Sequence, residues 1–462
     1  MRNNPEQGGI QRKLVSGLFW VLLANLLVKP FWILGIEVGV QNAVGDEVYG
    51  FYAALFSFSY IFNILLDLGV TNFNTRNIAR HPQLITKHLS GILGIKFLLV
   101  ALYMVVTFTA GLLMGYGSDE FRLLALLTLC QALNSLILYL RSNFEGLLLF
   151  RWDSLFSVLD RLLMIVICGF LLWSPKLSIF NFQFSIYHFV YAQLIAYCLT
   201  ALLAFAVIAR KTHFRRLRWD WRFFLVILRK SAPFALLVLL MASYNRIDPI
   251  LLRRLAGDAD AGVYAGAFRL LDALTMVCYL VSVPLLPVFS KLCAAHSEFG
   301  INTSELRSPN SALSEVLRLV FWPMMFFGVG AAVLGNLFAE PLMDLLYPGQ
   351  GTSYVPVFRV VIFGLVPIGI TYIFGTLLTA GGHLRQLNIF AASTLVFNVV
   401  VNLLLIPRLG ATGSAWASLT AQSFMAVAQL VLAIRLFRLP ASAFRLPRIS
   451  SLRHLPQLLK RG

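Results

Sequence analysis

The sequence predicts an all-α polytopic membrane protein, and two observations support this prediction: the composition and the length of the apolar runs. Hydrophobic residues make up 59% of the 462 residues, charged residues make up only 13%, and the mean hydropathy is +0.79. Soluble domains carry about 25% charged residues. Several apolar runs exceed about 18 residues, which suits a transmembrane helix and is too long for a barrel strand. Because a bilayer accepts only helices and closed barrels, these runs predict helices.

Roughly twelve membrane-spanning segments of about 20 residues each can be placed along the chain. They cover residues 15–41, 49–71, 89–114, 121–146, 154–173, 186–209, 232–253, 262–290, 314–338, 355–378, 387–406 and 413–436. Six segments in each half would bring both halves into the membrane from the same side. This predicts two parallel six-helix bundles, with a substrate path between them.

The segment between the two halves is basic and rich in tryptophan and phenylalanine, which is typical of a helix that lies in the membrane interface. The tail is also basic and contains several prolines. The predicted regions are an N-terminal bundle (1–209), a basic amphipathic cytoplasmic linker (210–231), a C-terminal bundle (232–437) and a basic cytoplasmic tail (438–462).

An internal repeat relates the two halves. In each copy a hydrophobic segment leads into a short Gly/Asp turn, and the next hydrophobic segment begins with Gly-x-Tyr-Ala. Glycine permits a sharp reversal or a close approach of helices, so the repeat predicts one or both at these turns. Aligned without gaps, the matching residues are Gly45-Asp46 with Gly257-Asp258, Gly50 with Gly262, and Tyr52-Ala53 with Tyr264-Ala265.

The distribution of basic residues predicts the orientation. Roughly 28 of the 38 lysines and arginines lie on the side of the N-terminus, against about six on the opposite side. Both termini are therefore expected in the cytoplasm. The net charge of +18 could suggest nucleic-acid binding, but the basic residues flank membrane segments mostly on one side. They are therefore explained as an orientation signal. The five cysteines show no metal or disulfide spacing, and no cleavable signal peptide is evident.

Cationic side chains within the predicted spans are the candidate substrate ligands, because an ionised group near the bilayer centre is costly. The candidates are Lys29, Arg246, Arg269, Asn25 and Arg141. Asn25 lies four residues before Lys29, which gives the first helix one polar face. If the cations face one cavity, that cavity selects anions, and phosphate or pyrophosphate on a bulky group is the expected class. The structural alternative for Lys29 and Arg141 is snorkelling to the interface.

Three carboxylates are candidates for ion coupling: Asp248, Asp272 and Asp67. Each has a structural alternative or needs a partner. Asp272 lies three residues after Arg269 and could pair with it within one helix. Asp67 could pair with Arg76 or take up a proton, and Asp248 needs a partner from another helix.

Other polar residues in the spans have structural interpretations. Lys96 lies nearer a helix end, where snorkelling explains it as well as ligand contact does. Asn398 and Asn402 are four residues apart and are expected to bond across helices rather than to substrate.

An enzymatic interpretation is weaker. Asp258-Ala-Asp260 resembles the D-x-D pattern of some membrane glycosyltransferases, but a three-residue pattern is common by chance. No sizeable extracytoplasmic region is predicted to hold a sugar acceptor, and there is no Walker A motif. We therefore expect no catalytic residues, no metal and no cofactor.

Two long stretches carry a family resemblance. GDEVYGFYAALFSFSYIFNILLDLGVTNFNTRNIARH (45–81) resembles the start of bacterial polysaccharide-transport flippases. These are the O-antigen translocase type of the multidrug/oligosaccharidyl-lipid/polysaccharide exporter superfamily. NRIDPILLRRLAGDADAGVYAGAFRLLDAL (245–274) is similar to their seventh and eighth helices, and Asp248 matches the family's aspartate on the seventh helix.

The resemblance implies a twelve-helix, V-shaped exporter of the bacterial inner membrane that works by alternating access. It implies movement of an undecaprenyl-pyrophosphate-linked oligosaccharide (an O-antigen, capsule or exopolysaccharide unit) from the cytoplasmic to the periplasmic leaflet. A proton or sodium gradient would supply the energy. Implied partners are this polyprenyl-linked glycan, membrane lipids, and the polymerase and chain-length proteins of the same pathway. The alternatives are a cation-coupled multidrug exporter of the same superfamily and, less favoured, a membrane glycosyltransferase.

Overall fold

The computed structural model describes residues 27–81, 83, 85–147, 149–174, 183–212, 221–282, 284–298 and 309–446, and these residues are helical or lie in short connections. In chain order the α-helices are α1 (Val38–Val44), α2 (Asp46–Ile61), α3 (Val70–Arg80), α4 (Ile85–Leu113), α5 (Ser118–Gly146), α6 (Phe150–Phe156), α7 (Leu159–Trp173), α8 (Ile186–Thr212), α9 (Trp221–Leu255), α10 (Asp258–Ser282), α11 (Leu285–Glu298), α12 (Pro309–Leu337), α13 (Ala339–Leu346), α14 (Gly351–Val361), α15 (Leu365–Ala380) and α16 (Leu384–Leu436). A π-helical turn (Trp32–Glu37) precedes α1.

Within the described residues, ten helices are long and apolar enough to cross a membrane. Nine of them correspond one to one with the second to tenth predicted segments. The tenth, Leu384–Leu436, contains both of the last two predicted segments. Of the first predicted segment, residues 15–26 lie outside the described residues, and residues 27–41 are helical. The predicted all-α polytopic fold class is confirmed.

Helix α16 consists of two helical parts that meet at a kink. Pro407 lies inside it, and Gly410 has φ 56° and ψ −134°. Proline cannot donate a backbone hydrogen bond, and glycine tolerates a positive φ, so the chain can change direction here without leaving the helix on either side. This kink separates the two predicted spans, 387–406 and 413–436, within α16.

The chain divides into two compact units. The first comprises Met1–Ala242 together with Gly257–Gly262, and the second comprises Ser243–Ala256 together with Val263–Gly462. Of the predicted linker, residues 213–220 lie outside the described residues, and residues 221–231 form the first part of α9.

Two repeat-related glycines form a close crossing in the first unit. A Cβ on Gly50 would overlap the Asp258 carbonyl, and a Cβ on Gly262 would overlap the Asp46 carbonyl. The Gln41 side-chain amide donates to the Gly262 carbonyl at 3.0 Å and to Asp46 Oδ1 at 2.8 Å. Glycine is thus required on both sides of the contact, which is the close approach that the repeat predicted.

A second break interrupts the first unit after α2. A 3-10 turn covers Phe62–Leu66, and Leu68 and Gly69 then take positive φ values of 45° and 80°. The helical path resumes at Val70. This break places Asp67 and the carbonyl of Leu66 in the interior of the unit.

The start of the predicted tail packs on the second unit. The Trp322 indole N–H donates to the Phe444 carbonyl at 3.1 Å, and the Phe444 ring contacts Phe321 and Phe374. Ala443 is fully buried. Residues 447–462 lie outside the described residues.

Candidate functional site

Asp248 is the most deeply buried of the three carboxylates predicted for ion coupling. It lies on α9 in the second unit and is only 1% exposed. The Tyr264 hydroxyl donates to Oδ2 at 2.9 Å, and the Asn402 side-chain amide donates to Oδ1 at 2.8 Å. Both of these donors, a hydroxyl and an amide, are neutral groups. A carboxylate in such surroundings either takes up a proton or binds a small cation, because a bare buried charge is costly.

The shell around Asp248 comes from both sides of the break in α16. Asn402 also donates to Asn398 Oδ1 at 2.7 Å, and the Ser414 hydroxyl donates to Asn402 Oδ1 at 3.0 Å. Asn398 and Asn402 precede Gly410, whereas Ser414 follows it. Asn402 therefore bonds across helices, as the sequence predicted, and its partner is the predicted coupling residue.

The second unit also brings together Arg246, Arg269 and Asp272. Arg269 is 4% exposed, and its Nη1 donates to the Tyr347 hydroxyl at 3.1 Å. Tyr347 in turn donates to the Gly266 carbonyl at 3.1 Å. Asp272 lies within the electrostatic influence of both arginines, with Arg246 the larger contributor. Asp272 therefore interacts with Arg246 as well as with Arg269, and the alternative of an Arg269–Asp272 pair does not include Arg246.

Tyr347 holds Arg269 firmly. Its ring stacks on Tyr354 at a centroid distance of 4.0 Å with an interplanar angle of 1°. Both rings are buried. Arg269 thus donates to a hydroxyl that is itself fixed by stacking, which limits the positions open to its guanidinium.

In the first unit, Lys29 lies within the electrostatic influence of Arg161, Arg141 and Asp160. Two of the predicted cations, Lys29 and Arg141, are therefore close enough to interact. Arg141 Nε forms an ion pair with Asp153 Oδ1 at 2.7 Å, and Asp153 is largely buried. The Arg141 guanidinium is therefore paired within the unit, and its snorkelling alternative stays a prediction. Asn25 lies outside the described residues.

Arg161, which is not among the ligands predicted from the sequence, completes the cationic group of the first unit. Its guanidinium lies over the Trp32 ring at 5.3 Å and over the Tyr197 ring at 5.7 Å. Asp160 lies 3.6 Å from its Nε. The sequence signal that could have identified Arg161 is the charged pair Asp160-Arg161 inside an apolar segment. The two rings come from distant segments, and no spacing in the sequence reveals them.

Asp67 pairs with Lys96, which the sequence did not suggest. Lys96 Nζ lies 2.8 Å from Asp67 Oδ1, and the Thr71 hydroxyl also donates to Asp67. Lys96 is 4% exposed, so the snorkelling interpretation of Lys96 is wrong. An extended lysine could reach the interface, but here the ammonium bonds to interior oxygens.

The family described as "Polysaccharide biosynthesis protein" matches residues 14–293, more than half of the chain. The chain belongs to this family. No curated protein matches the sequence significantly.

The chain shares its fold with solved transporters. The chain is similar to the lipid II flippase MurJ in an inward closed conformation, with TM-score 0.68, 15% identity, and 95% of this chain and 92% of that chain covered. It is similar to the MATE transporter VcmN of Vibrio cholerae, with TM-score 0.59, 15% identity, and 96% and 100% covered. A MOP superfamily transporter from Pyrococcus furiosus gives TM-score 0.55, 17% identity, and 95% and 97% covered. The expected family resemblance is confirmed by the match to the polysaccharide biosynthesis family, and the solved structures share the fold.

Proposed function

We propose that this protein is an ion-coupled flippase that moves an undecaprenyl-pyrophosphate-linked oligosaccharide from the cytoplasmic to the periplasmic leaflet of the bacterial inner membrane. The observation that carries the proposal is the pair of cationic groups inside apolar helices. One consists of Lys29, Arg141 and Arg161, and the other consists of Arg246 and Arg269. Charges inside such helices are costly unless an anionic group compensates for them; Asp153 and Asp160 contribute in the first group, and an anionic ligand would add to that compensation.

The chemistry of these groups suits a pyrophosphate. An arginine guanidinium binds phosphate oxygens through two parallel hydrogen bonds, and the bond is stronger where water is excluded. Arg161 is preorganised for such a ligand, because two rings limit the motion of its guanidinium. No bond of the substrate needs to break. The protein would lower the cost of carrying the charged headgroup while the lipid tail stays in the bilayer.

Asp248 is our proposed ion-coupling residue. The oxygens of Asp248, Asn398, Asn402 and Ser414 lie within one hydrogen-bonded network. Such oxygens can hold a sodium ion, and the carboxylate alone can hold a proton. Asp272 and Asp67 both lie near positive side chains, which makes them less suited to a free cation. Their coupling roles stay predictions.

The rest of the proposed setting follows from the family and the charge distribution. Both termini would face the cytoplasm, alternating access would expose the site to each leaflet in turn, and a proton or sodium gradient would drive transport without a cofactor. Membrane lipids surround the protein. The polymerase and chain-length proteins of the same pathway are the proposed protein partners.

Reconstituted vesicles test the proposal. Purified protein would be placed in liposomes with a fluorescent undecaprenyl-pyrophosphate-linked glycan, and an added glycosidase would report the fraction that reaches the outer leaflet. We expect gradient-dependent transfer, with at least a tenfold loss in an Arg161→Gln and Arg269→Gln double variant. Unchanged transfer in this variant, or no transfer by the intact protein under either gradient, would contradict the proposal.

The fold similarity to MATE transporters supports one alternative, a cation-coupled multidrug exporter. The two functions differ in the charge of the substrate. Efflux of cationic dyes from cells that express the protein, without any transfer of lipid-linked glycan, would favour the exporter.

A further inference from the structure

The ammonium of Lys96 lies among three oxygens in the first unit. Nζ lies 2.9 Å from the Leu66 carbonyl, 2.8 Å from Asp67 Oδ1 and 2.9 Å from Ser135 Oγ. The Tyr139 ring lies 6.0 Å from the same nitrogen. The oxygens represent three chemical types: a backbone carbonyl, a carboxylate and a hydroxyl. An ordinary ion pair needs only the carboxylate.

The helix break after α2 creates this arrangement. The 3-10 turn ends at Leu66, and the positive φ values of Leu68 and Gly69 redirect the chain. Ser135, on α5, donates to the same Leu66 carbonyl at 3.0 Å and so fixes its direction. Discontinuous helices whose carbonyls and carboxylates converge are the usual way in which transporters hold a small cation.

We propose that Leu66, Asp67 and Ser135 form a monovalent-cation site and that its permanent occupant is the ammonium of Lys96. The lysine then serves as a cation attached to the protein. A free ion has no need to enter or leave this site during transport. The carboxylate of the first unit therefore always has a cation beside it. In the second unit, by contrast, the Tyr264 and Asn402 groups that donate to Asp248 are neutral.

The inference is independent of the proposed substrate and differs from a plain salt bridge in one consequence. If the oxygens form a site for a cation, removing the lysine side chain leaves a place that a free cation of similar size can fill. Ammonium and potassium ions are close in size, and the observed spacings of 2.8–2.9 Å suit them better than the smaller sodium ion. A salt bridge alone predicts no such selectivity.

The experiment uses the full chain with Lys96→Ala, in an Asp248→Asn background so that the second unit contributes no ion response. Thermal unfolding of the detergent-purified protein is followed at constant ionic strength, with choline exchanged for ammonium, potassium, sodium or tetramethylammonium. We expect the Tm to rise saturably by about 1–3 °C with ammonium and potassium, by less with sodium, and not with tetramethylammonium.

Two controls identify the site. Adding Asp67→Asn removes the carboxylate and should abolish the response. Lys96→Met fills the space of the aliphatic chain and should also show none. A Tm that is equal in all salts, or a response that persists with Asp67→Asn, would overturn the proposal.

A failure of Lys96→Ala to fold still gives an answer. Monodisperse protein recovered from preparations in ammonium, but not from those in choline, would support the site. Loss of folded protein in both salts would overturn it.

Discussion

Replacing Asp248 by asparagine should separate ion coupling from stability. Asparagine has nearly the shape of aspartate, and its oxygen can accept from Asn402 while the Tyr264 hydroxyl rotates to accept from its amide. Both contacts, now at 2.8 and 2.9 Å, would persist in weaker, uncharged form. Loss of the charge also removes the cost of burying it, so the free energy of unfolding should change by less than about 1.5 kcal/mol.

Leucine at position 248 is the matched contrast. It would leave the Tyr264 hydroxyl without its carboxylate acceptor, whereas the Asn402 amide keeps Asn398 Oδ1 as an acceptor. One such orphaned donor costs about 1–3 kcal/mol, so the free energy of unfolding should fall by about that amount. The two variants share the loss of charge and differ in the hydrogen bonds that they keep.

The assay is transfer of lipid-linked glycan in liposomes with and without an imposed proton or sodium gradient, with thermal unfolding of the same preparations. For Asp248→Asn we expect a Tm close to that of the unchanged protein and transfer that no longer responds to either gradient. Gradient-driven transfer at the unchanged rate would refute the role of Asp248. A large fall in Tm for the asparagine variant would show instead that the charged form stabilises the second unit.

Three further predictions concern the first unit. Arg161→Lys should lower transfer about tenfold without loss of folded protein, because lysine keeps the charge but loses the ring contacts and the two-pronged guanidinium; equal transfer in the reconstituted assay would count against the ligand role. Gly50→Val should lower the yield of folded protein because its Cβ meets a backbone carbonyl, whereas Gly91→Ala, where a Cβ meets nothing within 4 Å, should leave unfolding unchanged or stabilise by about 0.5–1 kcal/mol. Arg141→Met should destabilise by about 3–5 kcal/mol because it leaves the buried carboxylate of Asp153 unpaired, and a second change, Asp153→Leu, should restore much of that loss; no recovery in chemical unfolding would contradict this explanation.

The sequence was sufficient for those parts of the fold that depend on local pattern. Apolar runs placed the spans because a helix that crosses a bilayer needs a fixed length of apolar chain. The repeat identified Gly50 and Gly262 because a close crossing excludes every side chain larger than hydrogen. The spans 387–406 and 413–436 were predicted as separate segments, and the structure places a kink at Gly410 between them.

The site was harder to predict because its contacts join residues that are far apart in the chain. Trp32, Arg161 and Tyr197 come from three different segments, and no spacing links them. Lys96 was misinterpreted because position near a helix end favours snorkelling, while the break that supplies the Leu66 carbonyl has no simple signature. Charges in apolar segments were visible, but their partners were not.

The hydrogen bond from Ser414 to Asn402 connects the two parts of α16 on either side of its bend. The same Asn402 side chain touches Asp248. A proton or cation that neutralises Asp248 must therefore change the hydrogen bond from the Asn402 amide. Asn402 is in turn bonded to Ser414 on the other side of the bend. The bend angle of α16 and the binding of a proton or cation at Asp248 are consequently coupled through the Asn402 side chain, so a change in one should change the other.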